Sequence, residues 1–594
     1  MDGLISGPKA LSLDWDGIWD ARTARTANGW TAEIVLPAST LSFTRGLATW
    51  GLNLERFVAR DRTTLRWTSP TLDSFLYDLS RAGSLTGVEG LRQGLGVELS
   101  PYVSARKTHD FQTRPDYGGT GGADLSWRMA PQMTAVATVN TDFAESEVDT
   151  RQVNITRFPL FFPEKRAFFL EGLNGFAFGL GLNKNAVARY GIGNAFLPFF
   201  TRRIGLHDGQ QVPIGGGLKL SGRAGRWNVG VLDVQIREDA EIPAVNLFGG
   251  RLSYDVNEKL QLGTLVTNGD PESFHANTLV AFDSVWRTST FRHDKNFLVG
   301  GWAAVNAAHT GPDPRGWGLE VEYPNDNLDC EIGTNHFGES LAPALGFLPR
   351  PGTRWYQGGC VSRFRPAENG RLRWIRLYEF EAYYSRITNL NGKNETSRYF
   401  ASPVSTTFTS GEHLEINVAR DREFLSKPFA IVNGVSAPPG AYTFTRGRLL
   451  FQTSKHRPLQ VGSTTWVGSF YGGRLTQWDN YVKLNTFQGR LQLGVTTTNN
   501  FGRVPAGRFV QRLWQAQSGF AFTPQLILTT FIQYDNQSHN VGANTRLRWT
   551  IRPGDDLFVV WNRGWQRVIA EGGDLNLVPQ DETVAIKLRW TIRR

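Results

Sequence analysis

The sequence predicts an all-β fold: a large antiparallel transmembrane β-barrel of about 24 strands, within a range of roughly 18–26, preceded by a partial β-sandwich. Three observations support this prediction. The chain of 594 residues is rich in aromatic residues and glycine, with 19 Trp and 64 Gly. It contains no run of about 18 apolar residues that would form a membrane-spanning helix. Apolar and polar residues instead alternate along stretches long enough to cross a bilayer as strands.

The final stretch of the chain shows the alternation most clearly. Neighbouring residues of a strand point to opposite sides, so alternation gives one apolar face and one mostly polar face. A soluble β-sandwich also alternates, but its strands average about five or six residues, whereas a tilted bilayer crossing needs about ten. The apolar face contains Val584, Ile586, Leu588, Trp590 and Ile592, and the opposite face Ala585, Lys587, Arg589, Thr591 and Arg593.

Alternating stretches follow one another from residue 95 onwards, which places the barrel at 91–594. Bacterial barrels have short periplasmic turns and longer external loops. Most connections here alternate between short and long, as that rule requires. This alternation predicts a bacterial outer-membrane protein and places residues 1–90 on the side of the short turns, in the periplasm. The long connections on the external side are predicted at 339–353, 388–396, 422–441 and 568–580, with exceptions to the rule at 288–295 and 473–474.

Residues 144–211, called segment 144–211 below, interrupt the alternation and form the longest connection. A wide barrel has a lumen that must be filled if it is not to leak, so we predict that this segment is a plug or lid. Its acids, bases and Phe residues suit an Arg-lined lumen as paired charges. The alternative is a ligand or cation site, with calcium as a candidate for the carboxylates, although their spacing is not that of an EF-hand. The candidate residues are Asp142, Glu145, Glu147, Asp149, Arg157, Glu164, Lys165, Arg166, Glu171, Arg202 and Arg203.

Several stretches resemble an outer-membrane β-barrel family of unassigned function. The hallmark segment of that family is matched from Thr141 to Phe143, from Phe162 to Arg166 and from Phe168 to Gly172. The resemblance continues through 202–205 and 531–558, and it covers the chain from about residue 90 to its end.

In that family a family-9 carbohydrate-binding-like β-sandwich usually precedes the barrel. Residues 14–67 resemble the last strands of this module, through Trp15–Arg22, Gly29–Ile34 and Trp50–Asn53. The resemblance implies that residues 1–90 are the C-terminal part of the module, and that its first half and a signal peptide are missing from this sequence.

Patterns that would indicate catalysis are few. The nine His residues do not have the spacing of a zinc site. A glycosidase needs two carboxylates at a defined separation, and Glu164 with Glu171 is one such pair, but pairs of this kind arise by chance among 54 acids.

The two Cys residues suggest a covalent link. Cys330 and Cys360 are equidistant from residue 345, so a hairpin centred there would bring them together in a disulfide. The alternative is two small side chains that face lipid.

The basic excess, 64 Lys+Arg against 54 Asp+Glu, has a local interpretation. Basic residues alternate with apolar ones, which indicates a positive lumen lining that favours anions such as acidic sugars. Nucleic-acid binding would need a continuous basic patch, so we do not predict it.

The sequence therefore predicts a channel, receptor or transporter-like barrel with a periplasmic carbohydrate-binding-like module. Outer-membrane lipid is the expected partner and carbohydrate a candidate ligand. The alternative is a barrel-embedded hydrolase that acts on the O-glycosyl bonds of glycans or on lipids, and the patterns favour a role without catalysis. Apart from calcium, no cofactor is predicted, and the oligomeric state stays open.

Overall fold

The structure is a computed structural model. Among the residues that it describes, no helix has the length and apolarity needed to cross a membrane. The described residues are 4–5, 11–12, 19–41, 43, 46–58, 63–68, 72, 76, 81–92, 95–130, 132–141, 150–180, 182, 187–191, 195–207, 210–238, 243–307, 311–569 and 575–593.

Twenty-four long strands, β1 to β24, form the barrel. The first twelve are Val97–Asp110, Asp116–Ala130, Met133–Thr141, Ile214–Ala224, Trp227–Ile236, Val245–Asp255, Leu260–Asn268, Thr278–Phe291, Lys295–Asn306, Arg315–Pro324, Leu328–Phe337 and Thr353–Phe364 (β1–β12). The last twelve are Ile375–Asn389, Asn394–Phe408, His413–Leu425, Gly440–Gln452, Leu459–Phe470, Gly473–Thr486, Leu491–Val504, Gly507–Thr523, Leu526–Asp535, Asn540–Arg552, Asp555–Ile569 and Leu575–Arg589 (β13–β24).

Each strand pairs antiparallel with its neighbours in the sequence, and the first and last strands close the ring. β24 pairs with β1 from Asp581 opposite Asp110 to Arg589 opposite Tyr102, and the short strand Ile592–Arg593 continues this pairing. Closure leaves no unpaired strand edge, which is what a sheet in lipid requires. The predicted all-β barrel and its strand number are confirmed.

Exposed apolar and buried charged side chains alternate along the barrel strands. Leu218 is 63% exposed and its neighbour Lys219 only 3%. Leu319 and Glu320 repeat this contrast at 58% and 6%. The exposed face is therefore apolar and the enclosed face polar, the arrangement of a transmembrane β-barrel and the reverse of a soluble protein.

Some predicted loop lengths are wrong because strands run further than the alternation indicated. The predicted long loop 388–396 is reduced to residues 390–393, since β13 and β14 extend into it. Likewise, β23 and β24 leave only 570–574 of the predicted loop 568–580. The expected exception at 288–295 disappears because β8 reaches Phe291, while the ten-residue connection 365–374 is long on the side predicted to have turns.

Residues 1–90 form small antiparallel sheets of two strands each in their described parts. In one of them, every residue of the strands Asp20–Thr26 and Gly29–Val35 is exposed. The assignment of this region to part of a carbohydrate-binding-like sandwich stays a prediction.

The most buried apolar side chains lie where segment 144–211 meets the strands. Phe168, Phe169 and Phe176 pack with the buried side chains of β5, among them Leu232 and Val234. Phe178 and Phe196 of the segment pack with a second cluster, which includes Leu279 of β8, Trp302 of β9 and Trp355 of β12. Burying a Phe side chain typically contributes about 1.5–3 kcal/mol, so this packing favours a docked segment.

Candidate functional site

Segment 144–211 begins and ends at one place on the wall. It follows Thr141 at the end of β3 and precedes Ile214 at the start of β4, and these two residues are paired. Four predicted site residues, Asp142, Glu145, Glu147 and Asp149, lie outside the described residues. The calcium site proposed for them stays a prediction.

An ion pair between Glu164 and Arg166 organises the middle of the segment. The Arg166 Nε and Nη2 atoms donate to the two carboxylate oxygens of Glu164 at 2.8 and 2.7 Å. Its guanidinium also donates to the carbonyl oxygens of Ile204 at 2.6 Å and Thr201 at 2.8 Å, and lies 4.2 Å from the centre of the Phe169 ring. Both side chains of the pair are about 95% buried. Arg166 therefore ties together parts of the segment that are 35–38 residues apart.

The Glu164 carboxylate is held in its charged form. Burial alone would raise the pKa of Glu164, but the hydrogen bonds and charge of Arg166, together with the Thr201 hydroxyl 2.8 Å away, outweigh burial. The net effect is a pKa below the ordinary value of a glutamate. Both carboxylate oxygens accept hydrogen bonds within the segment, so this group has a structural role.

The remaining predicted residues of this region lie around that ion pair. Lys165 and Glu171 are half-buried beside the short helix Ala167–Leu170. Arg202 and Arg203 are half-buried in the turn that presents the Thr201 and Ile204 carbonyl groups to Arg166.

Arg157 connects the segment to the barrel strands β14 and β15. Its Nε atom donates to Glu423 at 2.9 Å, and its Nη2 atom lies 3.9 Å from Glu395. Arg350, from the connection 338–352, bonds the same Glu395 at 2.9 Å, and the two guanidinium groups lie 4.8 and 4.3 Å from the centre of the Phe158 ring. Burial lowers the pKa of Arg350 to about 10, against the opposing effect of Glu395.

Further polar contacts join the segment to other strands. Arg189 forms an ion pair with Glu381 of β13 at 3.0 Å, and the Tyr190 hydroxyl donates to Glu331 of β11 at 2.5 Å. The Gly179 amide donates to Asp283 of β8 at 3.0 Å.

Contacts with β4 and with β20 and β21 complete the set. The Lys219 ammonium group of β4 donates to the Phe168 carbonyl oxygen. The main chain of Arg151 exchanges hydrogen bonds of 3.0 and 3.1 Å with the side chains of Gln533 and Gln515. The segment thus contacts strands from β4 to β21, including strands on opposite sides of a ring of 24.

Sequence reasoning missed most of the barrel residues in these contacts. Glu395 and Glu423 lie more than 200 residues from Arg157 and carry no local motif, and both fall in predicted loops, 388–396 and 422–441, that the strands extend into. Lys219 had a signal, because it stands between Leu218 and Leu220 in an alternating stretch and must face the inner side.

A group of three carboxylates lies on the inner wall of β10 and β11. Oxygen atoms of Glu320, Glu322 and Glu331 lie within 4.8 Å of one another. Hard cations prefer such oxygen donors. All three side chains have protein partners. One partner is the Tyr190 hydroxyl, which bonds Glu331, so the Glu331 carboxylate contributes to the docking of the segment.

The two cysteines lie directly opposite each other on β11 and β12. Cys330 pairs with Cys360 in the register of the two strands, and the structure joins them in a disulfide. The hairpin places them on the outer face, because the inward-facing Glu331 is the next residue after Cys330.

Part of the chain matches a known family. Residues 95–238 match the family model described as a domain of unknown function, DUF5916. The match covers β1 to β5 and segment 144–211, and it contains the hallmark stretch that suggested an outer-membrane barrel family of unassigned function. That resemblance is confirmed here, and the link to a carbohydrate-binding-like module stays a prediction.

Known structures resemble the chain in outline and share little sequence with it. The outer membrane protein OpdK from Pseudomonas aeruginosa is 7% identical, with a TM-score of 0.28, over 84% of this chain and 99% of that chain. A mutant of the ferric enterobactin receptor PfeA from the same organism is 8% identical, with a TM-score of 0.38, over 83% and 81%. The translocation pore of the P pilus usher PapC is 10% identical, with a TM-score of 0.28, over 84% and 100%. No curated protein matches the chain.

Proposed function

We propose that this protein is an outer-membrane channel or transporter whose lumen is closed by segment 144–211. The supporting observation is the distribution of its contacts, which reach inward-facing side chains on strands from β4 to β21. A segment held at opposite sides of a ring crosses either the enclosed space or one of its openings, and either position supports closure. Transport then requires that some of these contacts break.

The contacts are of a kind that can hold one closed state. The ion pairs that join the segment to the strands, Arg157–Glu423 and Arg189–Glu381, are largely enclosed, and the loss of one partner leaves the other charge without compensation. Closure by paired charges therefore gives a defined docked position, and release requires a ligand, a partner or a change in charge that replaces these pairs.

The region 1–90 completes this proposal as a periplasmic module that binds carbohydrate, on the strength of its resemblance to the family-9 module. The hydrolase alternative lacks a comparable observation. One carboxylate of its candidate pair, Glu164, has both oxygens engaged by Arg166 and Thr201.

Single-channel conductance in a planar bilayer tests closure. Because Thr141 and Ile214 are paired neighbours, residues 142–213 can be replaced by an Asn-Gly turn that joins β3 and β4 as an ordinary hairpin. The intact protein is expected to stay closed and the shortened one to give large conductance steps.

As a matched control, the connection 365–374 at the other end of the barrel is replaced by the same Asn-Gly turn. This variant should stay closed. Equal conductance of the intact and the 142–213 variant would show that the segment does not close the lumen.

A further inference from the structure

A recess lies on the outer face of the barrel wall, across the strands β10 to β15. Its volume is about 1100 Å³, and most of the residues that line it are apolar. The large apolar side chains at its border are exposed, as lipid-facing side chains are: Ile332 is 65% exposed and Val418 48%. Their sequence neighbours Gly333 and Asn417 lie on the opposite face of the strands. The recess therefore opens toward lipid and is separate from the lumen.

Small residues form the floor of the recess. Four of them are direct strand partners in one row on β11 to β14, and the disulfide joins the first two. A fifth is a glycine, two residues away on the same face of β12. Larger side chains surround them, so the lipid-facing surface is lower here than around it. The row consists of Cys330, Cys360, Ala382 and Ala401, and the glycine is Gly358.

Tyrosines border the recess on the side nearer the attachment of segment 144–211. Tyr384 and Tyr399 are direct partners, with ring centres 4.5 Å apart. Aromatic side chains form girdles at the level of the lipid headgroups in transmembrane barrels. The two tyrosines lie two residues from Ala382 and Ala401, about 7 Å along the strands. The floor of the recess is therefore just below the headgroups, at the level of the acyl chains.

Three arginines lie on the outer face at the level of these tyrosines. Arg420 is the strand partner of Tyr399, and Arg386 is the strand partner of Tyr356, which also lines the recess. Arg422 follows two residues after Arg420 on the same face. All three side chains are exposed, and within the described part of the chain none of them forms an ion pair. The outer face thus carries uncompensated positive charge beside the recess.

An apolar recess next to uncompensated cations indicates an amphiphilic anion as the ligand. Acyl chains match the recess in polarity, and a guanidinium group binds phosphate oxygens through two parallel hydrogen bonds. Basic residues at a membrane surface attract anionic lipids for the same reason. Free phosphate would leave the recess unused, and a lipid without net charge would leave the arginines without a counter-charge.

A second copy of the chain fits this surface less well. Membrane barrels that associate about a two-fold axis along the membrane normal present the same patch to each other. Arg386, Arg420 and Arg422 of both copies would then face one another at one level, with repulsion between them. A phosphorylated lipid supplies the negative charge that this patch lacks.

We propose that the recess binds a lipid with a phosphorylated headgroup, the class to which lipopolysaccharide belongs. The acyl chains cover the small residues of the floor, and the phosphate groups contact the three arginines. The lipid lies in the leaflet at the end of the barrel where segment 144–211 is attached, which the loop lengths predict to be the outer one. This site goes beyond the proposed channel role and does not depend on closure of the lumen.

Native mass spectrometry of the full-length protein in detergent tests the proposal. The probes are lipid A with its phosphate groups and the same lipid after enzymatic dephosphorylation, which keeps the acyl chains. The phosphorylated probe is expected to bind at least tenfold more tightly. This comparison uses the unaltered protein and needs no variant to fold.

A first variant tests the shape of the recess. Ala382→Phe fills part of the floor and should weaken the binding of both lipids at least fivefold, because acyl chains lose their space. The matched control is Ala516→Phe, at an alanine that is exposed on the outer face of β20 and does not line the recess. It should leave binding within twofold. Heat-modifiable migration in gel electrophoresis verifies that each barrel has folded.

A second variant tests the charge. Arg386→Gln, Arg420→Gln and Arg422→Gln together should weaken binding of the phosphorylated lipid at least tenfold and leave the dephosphorylated lipid within twofold. The matched control changes three exposed arginines that are direct partners at the same end of β18 to β20 and do not line the recess. It should leave both lipids within twofold. The control consists of Arg474→Gln, Arg503→Gln and Arg508→Gln.

Four results would overturn the proposal: no retained lipid, equal affinity of the unaltered protein for both lipids, unchanged binding in either test variant, or an equal loss in its control. A dimer of the unaltered protein that Ala382→Phe dissociates would also overturn it, since a second copy would then cover the recess. These outcomes are separate from the conductance test of closure, because the recess lies on the outer face of the wall.

Discussion

Replacing Arg166 by Met should loosen segment 144–211 while leaving the barrel intact. The substitution removes four hydrogen bonds, two to Glu164 and two to the Thr201 and Ile204 carbonyl oxygens, and leaves a carboxylate about 95% buried without its counter-charge. Breaking a buried pair in this way typically costs about 3–5 kcal/mol. Since about 1.4 kcal/mol is tenfold, the ratio of open to closed segment should rise roughly a hundredfold to several thousandfold when the internal fold of the segment is lost on opening.

The assay is the open probability of single channels, with limited proteolysis of the segment as a second readout. The double variant Glu164→Leu with Arg166→Met removes both charges and should restore part of the closure, because no buried charge is left unpaired. The Thr201 and Ile204 carbonyl oxygens still lose their donor.

Arg365→Met is the control. It breaks a two-point pair with Asp326 near the β10–β11 turn, 2.6 and 2.8 Å long and partly exposed, which is typically worth no more than about 1 kcal/mol. Open probability and proteolysis of Arg166→Met equal to those of the control would refute the reasoning.

Three further outcomes are expected. The pKa of Glu164 in the docked segment lies below its unfolded value of about 4.3. The ionised carboxylate therefore stabilises docking above that pH, and this contribution is lost as the pH falls through the lowered pKa. Open probability should rise below about pH 4, and Glu164→Gln should flatten that rise. Gly172→Ala should favour the open state, since Gly172 has φ +68° and an added Cβ would lie 2.1 Å from the Ser221 Oγ atom, whereas Gly447→Ala, with nothing within 4 Å, should behave as the wild type in the same recordings. Thiol alkylation without reductant should label no cysteine, and labelling of both would contradict the disulfide. The double variant Cys330→Ser with Cys360→Ser should lower the free energy of unfolding in urea by about 2–4 kcal/mol.

The barrel was predictable because lipid imposes one rule on every strand. Apolar side chains must alternate with enclosed polar ones, so β24 could be recognised from its own eleven-residue pattern. The rule fails at strand ends, where both faces are wet and alternation is no longer required. β23 and β24 therefore extend to Ile569 and from Leu575, beyond the predicted limits.

The inner contacts were less predictable. The charged residues of segment 144–211 were recognised as unusual, but their partners are set by the three-dimensional ring. Arg157 contacts Glu423, 266 positions away, and Glu331 comes close to Glu320 and Glu322 only when β10 and β11 are paired. Hydrophobic periodicity shows which face of a strand a residue occupies. It contains no information about which distant residues lie beside it on the barrel wall.

The seam between β1 and β24 has a consequence for how the protein is made. Ser100 and Thr591, which lie 491 residues apart, come within 3.2 Å across this seam. The ring cannot close until the last strand has been delivered, so an unfinished barrel presents two open edges that pair readily with other chains. Contacts between such distant residues also form slowly. A chain that loses β24 is therefore expected to aggregate instead of forming a smaller pore.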